Sequence, residues 1–225
     1  MNLKSKFLII APHPDDEILA CGGLINKIAL AGGSVYILTI CNHLPPLYSK
    51  EAANITINEM KKCHNFLKVK KSINFGYPAC LLFKKEQYLL NNEILNITQK
   101  IKANYIFLPF PDRHQDHKIV FESSMVATRP KKKNNFIKQI YLYETISETF
   151  WNAPQIEPNF IPDTFIDITK NIKNKVKALK YFKSQINEND YERSLRAIEA
   201  LSIFRGSQVG FKFAESFKLI RSRID

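Results

Sequence analysis

Phe7-Leu8-Ile9-Ile10-Ala11-Pro12-His13-Pro14-Asp15-Asp16-Glu17 sets an unbroken apolar run directly against a histidine and three carboxylates. A continuous apolar run of this length reads as a parallel strand buried on both faces. From about Asp16 the pattern changes period. Leu24, Ile25, Ile28 and Ala31 recur at helical spacing, and Gly32-Gly33 stop the helix. The polar residues therefore sit where a strand ends and a helix begins. In open α/β sheets that carboxyl edge is where ligands bind.

Outward from this unit the alternation continues. Val35 to Ile40 reads as a strand, followed by a polar loop with Pro45-Pro46 and a helix from about Lys50 to Phe66. A short strand near Ile73–Phe75 precedes a helix over Tyr88–Lys102 and a strong strand over Tyr105–Leu108. A helix over Asp116–Ala127 and a strand over Ile140–Tyr143 complete the repeat. This order predicts an α/β fold, a Rossmann-like, doubly wound, mostly parallel sheet. Beyond an extended loop with Pro154, Pro158 and Pro162, Thr164–Ile168 reads as one more strand. Two amphipathic helices follow, with Ile172, Val176, Leu179 and Phe182 on one face and Leu195, Ile198 and Leu201 on the other. The expectation is one domain over 1–225, with 163–225 mainly a helical elaboration.

A second polar segment, Pro111-Asp112-Arg113-His114-Gln115-Asp116-His117, follows the Tyr105–Leu108 strand as the first follows Phe7–Ala11. Both belong at the carboxyl edge and can meet there. Buried carboxylates and histidines are costly without partners, and a divalent metal is the simplest one. His13 and Asp16, spaced i, i+3 around a turn, can aim at one point. One of His114 and His117 can complete the set. Three protein ligands with an open position is the pattern of a catalytic zinc, and the donors also suit Fe²⁺, Co²⁺ or Ni²⁺. Asp15 faces differently from Asp16 and is the candidate general base toward an attacking water. The remaining histidine is placed to stabilise an oxyanion or protonate a leaving amine.

His13-Pro14-Asp15-Asp16-Glu17, followed by Gly22-Gly23, resembles the signature of the PIG-L/LmbE-like N-deacetylases, which include N-acetylglucosaminyl-phosphatidylinositol de-N-acetylase and the mycothiol and bacillithiol deacetylases. Arg113-His114-Gln115-Asp116-His117 is similar to that family's second signature, with Gln115 in the place of a proline. Arg205-Gly206 and Ala214-Glu215-Ser216-Phe217 carry the likeness toward the C-terminal end. The resemblance implies His13, Asp16 and His117 as zinc ligands, Asp15 as base and His114 as the second catalytic histidine. It implies a metal-dependent hydrolase that removes an N-acetyl group from an amino-sugar-containing small molecule, such as an N-acetylglucosaminyl conjugate or a nucleotide-linked sugar. The loop Cys41–Pro46 and the helix start at Lys50-Glu51-Ala52-Ala53 depart from the family pattern, so they leave the substrate open.

Arg113, His43, Tyr143 and Glu144 lie near the same edge and are candidate substrate contacts. Glu17 suits a helix start or the orientation of a ligand. His64 reads as structural, and Arg205 with Glu215 as a structural ion pair. The four cysteines form no C-x-x-C pair and do not read as a disulfide scaffold, and Cys21 and Cys41 read as small core residues.

The composition fits a globular chain of 225 residues, 45% hydrophobic and 24% charged. Net charge is +12, from 33 basic against 21 acidic residues, spread along the chain except for Lys131-Lys132-Lys133. That run reads as a solvated loop, and the aromatics do not interleave with a basic stripe, so nucleic acid is not expected as a partner. The first apolar run is too short for a signal peptide or a membrane span, which predicts a cytoplasmic protein. Homo-oligomerisation is left open. The competing readings are an amidase for a non-sugar N-acyl substrate and a polyanion-binding protein with a relic metal site.

Overall fold

The computed structural model describes residues 1–153, 155–187 and 191–224; Pro154 of the extended loop lies outside them. Seven strands form one sheet: β1 (Lys6–Ala11), β2 (Ser34–Asn42), β3 (Lys71–Pro78), β4 (Tyr105–Pro109), β5 (Gln139–Tyr143), β6 (Thr164–Asp167) and β7 (Ala214–Ser222). Their order is β3-β2-β1-β4-β5-β7-β6. The first five are parallel, while β7 runs antiparallel to both β5 and β6. Phe7 to Ala11 are fully buried, as a strand covered on both faces must be.

Among the described residues, six α-helices cover the faces: α1 (Asp16–Leu30), α2 (Lys50–Phe66), α3 (Gln87–Ile101), α4 (Gln115–Ala127), α5 (Ile172–Leu179) and α6 (Leu195–Ser207). On one side Leu24, Ile28, Met60 and Leu179 pack over Phe7, Ile9 and Phe107. On the other, Leu90, Ile94 and Val120 pack over Leu8, Ile10 and Ile106. Ser49 starts α2 by accepting from the Ala52 N–H at 3.1 Å. Among the described residues no helix is long and apolar enough to cross a membrane.

The C-terminal part is less helical than its pattern suggests, because β7 joins the main sheet beside β5. Its first residues include Glu215 and Ser216, both buried, so the strand lacks a plain apolar alternation. The ion pair expected between Arg205 and Glu215 is instead two pairs. Arg205 grips Glu144 through two hydrogen bonds, of 2.9 and 2.6 Å. Glu215 takes Lys175 at 2.7 Å and accepts the backbone N–H groups of Gly23 and Leu24, each at 2.8 Å. Gly23 also lets Ile168 pack against the helix here, since a Cβ there would stand 2.8 Å from Ile168 Cγ2.

The chain returns to β2 on one side of β1 and to β4 on the other. The sheet's order therefore reverses between β1 and β4, and a crevice opens outside their carboxyl ends. Both polar motifs follow these two strands, one from each.

Candidate metal centre and active site

The first motif is a turn held by its own carboxylates. Asp16 Oδ2 accepts the His13 N–H at 2.9 Å, and Glu17 Oε2 accepts the Asp15 N–H at 3.2 Å. Asp15 stands at φ 110°, a region that costs a non-glycine residue about 1–3 kcal/mol. The helix partly fixes it there, since the N–H groups of Ile18 and Leu19 both donate to the Asp15 carbonyl. The consequence is divergence of neighbours: Asp16 faces the histidines, while Asp15 faces Arg193, whose Nη1 lies 3.1 Å from Asp15 Oδ2.

The second motif is organised by Asp112. Its Oδ1 accepts the His114 N–H at 3.0 Å, and its Oδ2 meets His117 Nδ1 at 3.0 Å. Thr149 donates to the same Oδ2 at 3.0 Å. His114 caps α4, its Nδ1 accepting the Asp116 N–H at 3.1 Å. A neutral imidazole that accepts at Nδ1 carries its proton on Nε2, so His114 offers an N–H to the crevice.

Asp16 Oδ2 lies 3.3 Å from His13 Nδ1 and 3.4 Å from His117 Nε2. Donors about 2.0–2.1 Å from one tetrahedral ion stand about 3.3–3.4 Å apart, so this spacing fits a bound zinc. Among the described residues, His117 Nε2 is buried without a hydrogen-bond partner. The far nitrogens are fixed by carboxylates, His13 Nε2 by Asp116 at 2.9 Å and His117 Nδ1 by Asp112. Metal-binding histidines are oriented in this way. His114 also lies within 4.8 Å of the His13 and His117 donors, but its tautomer offers a proton rather than a lone pair. Asp112→Asn is expected to weaken divalent-ion affinity about 10–100-fold, measured by competition with a chromogenic chelator. Unchanged affinity would mean that Asp112 does not orient a ligand.

Burial dominates the electrostatics. It pushes Asp15 up to about 7, against the partial pull of Arg193. It pulls both His13 and His117 down, yet the facing carboxylates outweigh it and raise them to about 9 and about 10. Asp16 is held well below the usual carboxylate range, because the two histidines outweigh its burial. Burial, with the cationic His13 and His117 adding to it, pulls His114 down to about 4, so it is neutral at pH 7.

A cavity of about 470 Å³ opens over this cluster and is lined by His13, Asp15, His114 and His117. His43 lines it too, bonded to Thr56 at 3.3 Å. The other three candidate contacts do not. Tyr143 is fully buried and donates to the Ile10 carbonyl at 2.9 Å. Glu144 is consumed by Arg205 and by Ser216, which donates to it at 2.6 Å. Arg113 is exposed, with its guanidinium 5.8 Å from the Trp151 ring centroid. Conversely, Arg193, Glu148 and Tyr48 line the cavity, and no sequence pattern marks them. His64 is structural and sits under the motif, 2.7 Å from Glu17.

The profile of the family described as GlcNAc-PI de-N-acetylase, PIG-L, matches residues 8–128. The diacetylchitobiose deacetylase of Thermococcus kodakarensis is 24% identical over 97% of this chain and 84% of its own. The solved N,N'-diacetylchitobiose deacetylase of Pyrococcus horikoshii superposes with a TM-score of 0.76 at 22% identity, covering 96% of this chain and 84% of its own. The 4-carboxy-2-hydroxymuconate hydratase GalB of Pseudomonas putida superposes as closely, TM-score 0.77 at 14% identity, over 98% of each chain. Fold likeness alone therefore does not choose the reaction, and the side chains must.

Proposed function

The chain belongs to the GlcNAc-PI de-N-acetylase (PIG-L) family, and from that footing we propose that it hydrolyses the acetamide of an N-acetylated amino sugar, using zinc held by His13, Asp16 and His117. The observation that carries this reading is Asp16 Oδ2 standing 3.3 Å from His13 Nδ1 and 3.4 Å from His117 Nε2, separations that suit donors around one tetrahedral ion, beside Asp15 and His114. When bound, the ion supplies Lewis acidity and makes water a nucleophile near neutral pH.

The residues divide the remaining work. Asp15, raised to about 7, accepts a proton from the attacking water. Arg193 Nη1 holds its carboxylate in place, and Arg193 is itself anchored by Ser147 at 3.0 Å. His114 donates Nε2–H to the oxygen that becomes negative. At about 4 it stays neutral and serves as a hydrogen-bond donor rather than an acid. The proton for the departing amine therefore comes from Asp15. His114→Ala is expected to lower kcat about 10²–10³-fold with little change in KM. A change confined to KM would remove His114 from the transition state.

The cavity also favours an uncharged substrate. Arg193 is the one guanidinium or ammonium among its described lining residues, and Asp15 already occupies it. Glu148 adds a carboxylate to the lining, while the side chains of Tyr48 and Ile55 offer apolar surface at the rim. A neutral acetamido sugar suits this better than the phosphate of a nucleotide-linked one. The test is release of primary amine from N-acetylglucosamine, diacetylchitobiose and UDP-N-acetylglucosamine, with zinc and with chelator. Chelator-sensitive release from the neutral sugars is expected. Release from none, by protein holding one ion per chain, would transfer the reading to an amidase for a non-sugar substrate.

A further inference from the structure

The one run of lysines in the chain, Lys131-Lys132-Lys133, lies at the end of the sheet opposite the proposed metal centre. Gln139 begins β5 and Ser222 ends the antiparallel β7, and the two are paired, so the segment 131–135 and Arg221 share the amino edge. There a cavity of about 570 Å³ is lined by Lys131, Lys132, Asn134, Ile137, Arg221 and Ser222, among others. Among the described residues no Asp or Glu lines it, and none pairs with Lys131, Lys132 or Arg221.

We propose that this hollow is a second binding site, for a small anion carrying a di- or triphosphate group, with Lys131, Lys132 and Arg221 as its cations. Two features separate it from a loop of solvated lysines. Its wall is fixed: Asn134 is buried and donates to the carbonyls of Ala127 and Arg129 at 3.0 and 2.8 Å, which ties the segment to the end of α4. Preorganised walls reduce the entropic cost of binding. In addition, Arg221 is drawn partly out of water with a carbonyl, Thr128 O, as its partner and, among the described residues, no carboxylate. A half-buried guanidinium without an anion is incomplete, and its planar fork matches phosphate oxygens, with ammonium groups as point charges beside it. The concavity favours a small molecule over a nucleic-acid duplex, which needs cations spread along a surface. The site faces away from the hydrolytic crevice, so its occupant is not the substrate and the inference does not depend on the proposed reaction.

The experiment is calorimetric titration of the zinc-loaded protein with inorganic pyrophosphate. In parallel, sedimentation is measured with phosphatidylcholine vesicles containing or lacking a bisphosphorylated inositol lipid. Each is repeated with the double variant Lys131→Gln/Lys132→Gln, whose exposed side chains leave fold and hydrolysis intact. Saturable binding that weakens at least tenfold in the variant, and weakens with added salt, is expected. Pyrophosphate binding identifies a soluble source of the phosphate group, and binding of the inositol-lipid vesicles alone identifies a membrane source. Pyrophosphate held at the metal centre would bind the variant equally well. Unchanged affinity therefore overturns the proposal, as does binding of neither probe.

Discussion

Asp16→Asn is expected to leave the protein folded but without its ion, and to lower kcat/KM at least about 10⁴-fold, roughly 5–6 kcal/mol of transition-state stabilisation. Asp16 Oδ2 stands between the two histidine donors and also holds the His13 N–H, so one atom serves the proposed ligand set and the turn. The amide keeps an oxygen for the turn but loses the charge that draws both a cation and the imidazoles to this point. Metal content by atomic emission and activity should fall together, and chelated wild-type protein should match the variant. A variant that keeps one ion per chain and activity within about tenfold of wild type would remove Asp16 from the ligand set.

Asp15→Asn is expected to lower kcat about 10²–10⁴-fold, the usual worth of a positioned base, while the ion stays bound. Asparagine suits this position, because it tolerates positive φ better than most side chains and can still accept from Arg193. It also removes a carboxylate that burial makes costly to ionise. Thermal stability should therefore be equal or slightly higher while turnover collapses. A kcat within a few-fold of wild type would exclude Asp15 as the base.

Much of this was legible because the residues obey one period at a time. Phe7–Ala11 reads as a two-sided buried strand, and the apolar spacing of the next segments gives α1 and α2 close to their observed bounds. The meeting of the two polar motifs follows from their equivalent places after β1 and β4. What stayed hidden depends on partners distant in sequence. Arg193 reaches Asp15 across 178 residues from a polar stretch with no pattern of its own. Strand β7 is masked by Glu215 and Ser216, polar residues made tolerable by Lys175 and by Glu144. Tyr143 and Glu144 end a strand at the right edge, yet the Ile10 carbonyl claims the first and Arg205 and Ser216 the second, and position along a strand does not report direction. Arg113 is flanked by inward-facing Asp112 and His114 but lies exposed, since a loop has no fixed alternation.

Glu215 completes α1 from 192 residues away, by accepting the Gly23 N–H, and it accepts that of Leu24 as well. At a synthesis rate of about 5–20 residues per second, roughly 10–40 s separate the emergence of the two partners from the ribosome. The first helix translated, which carries Asp16 in its opening turn, is thus among the last to be finished. A nascent chain stalled short of residue 215 holds the front half of the proposed metal site without the buttress behind it.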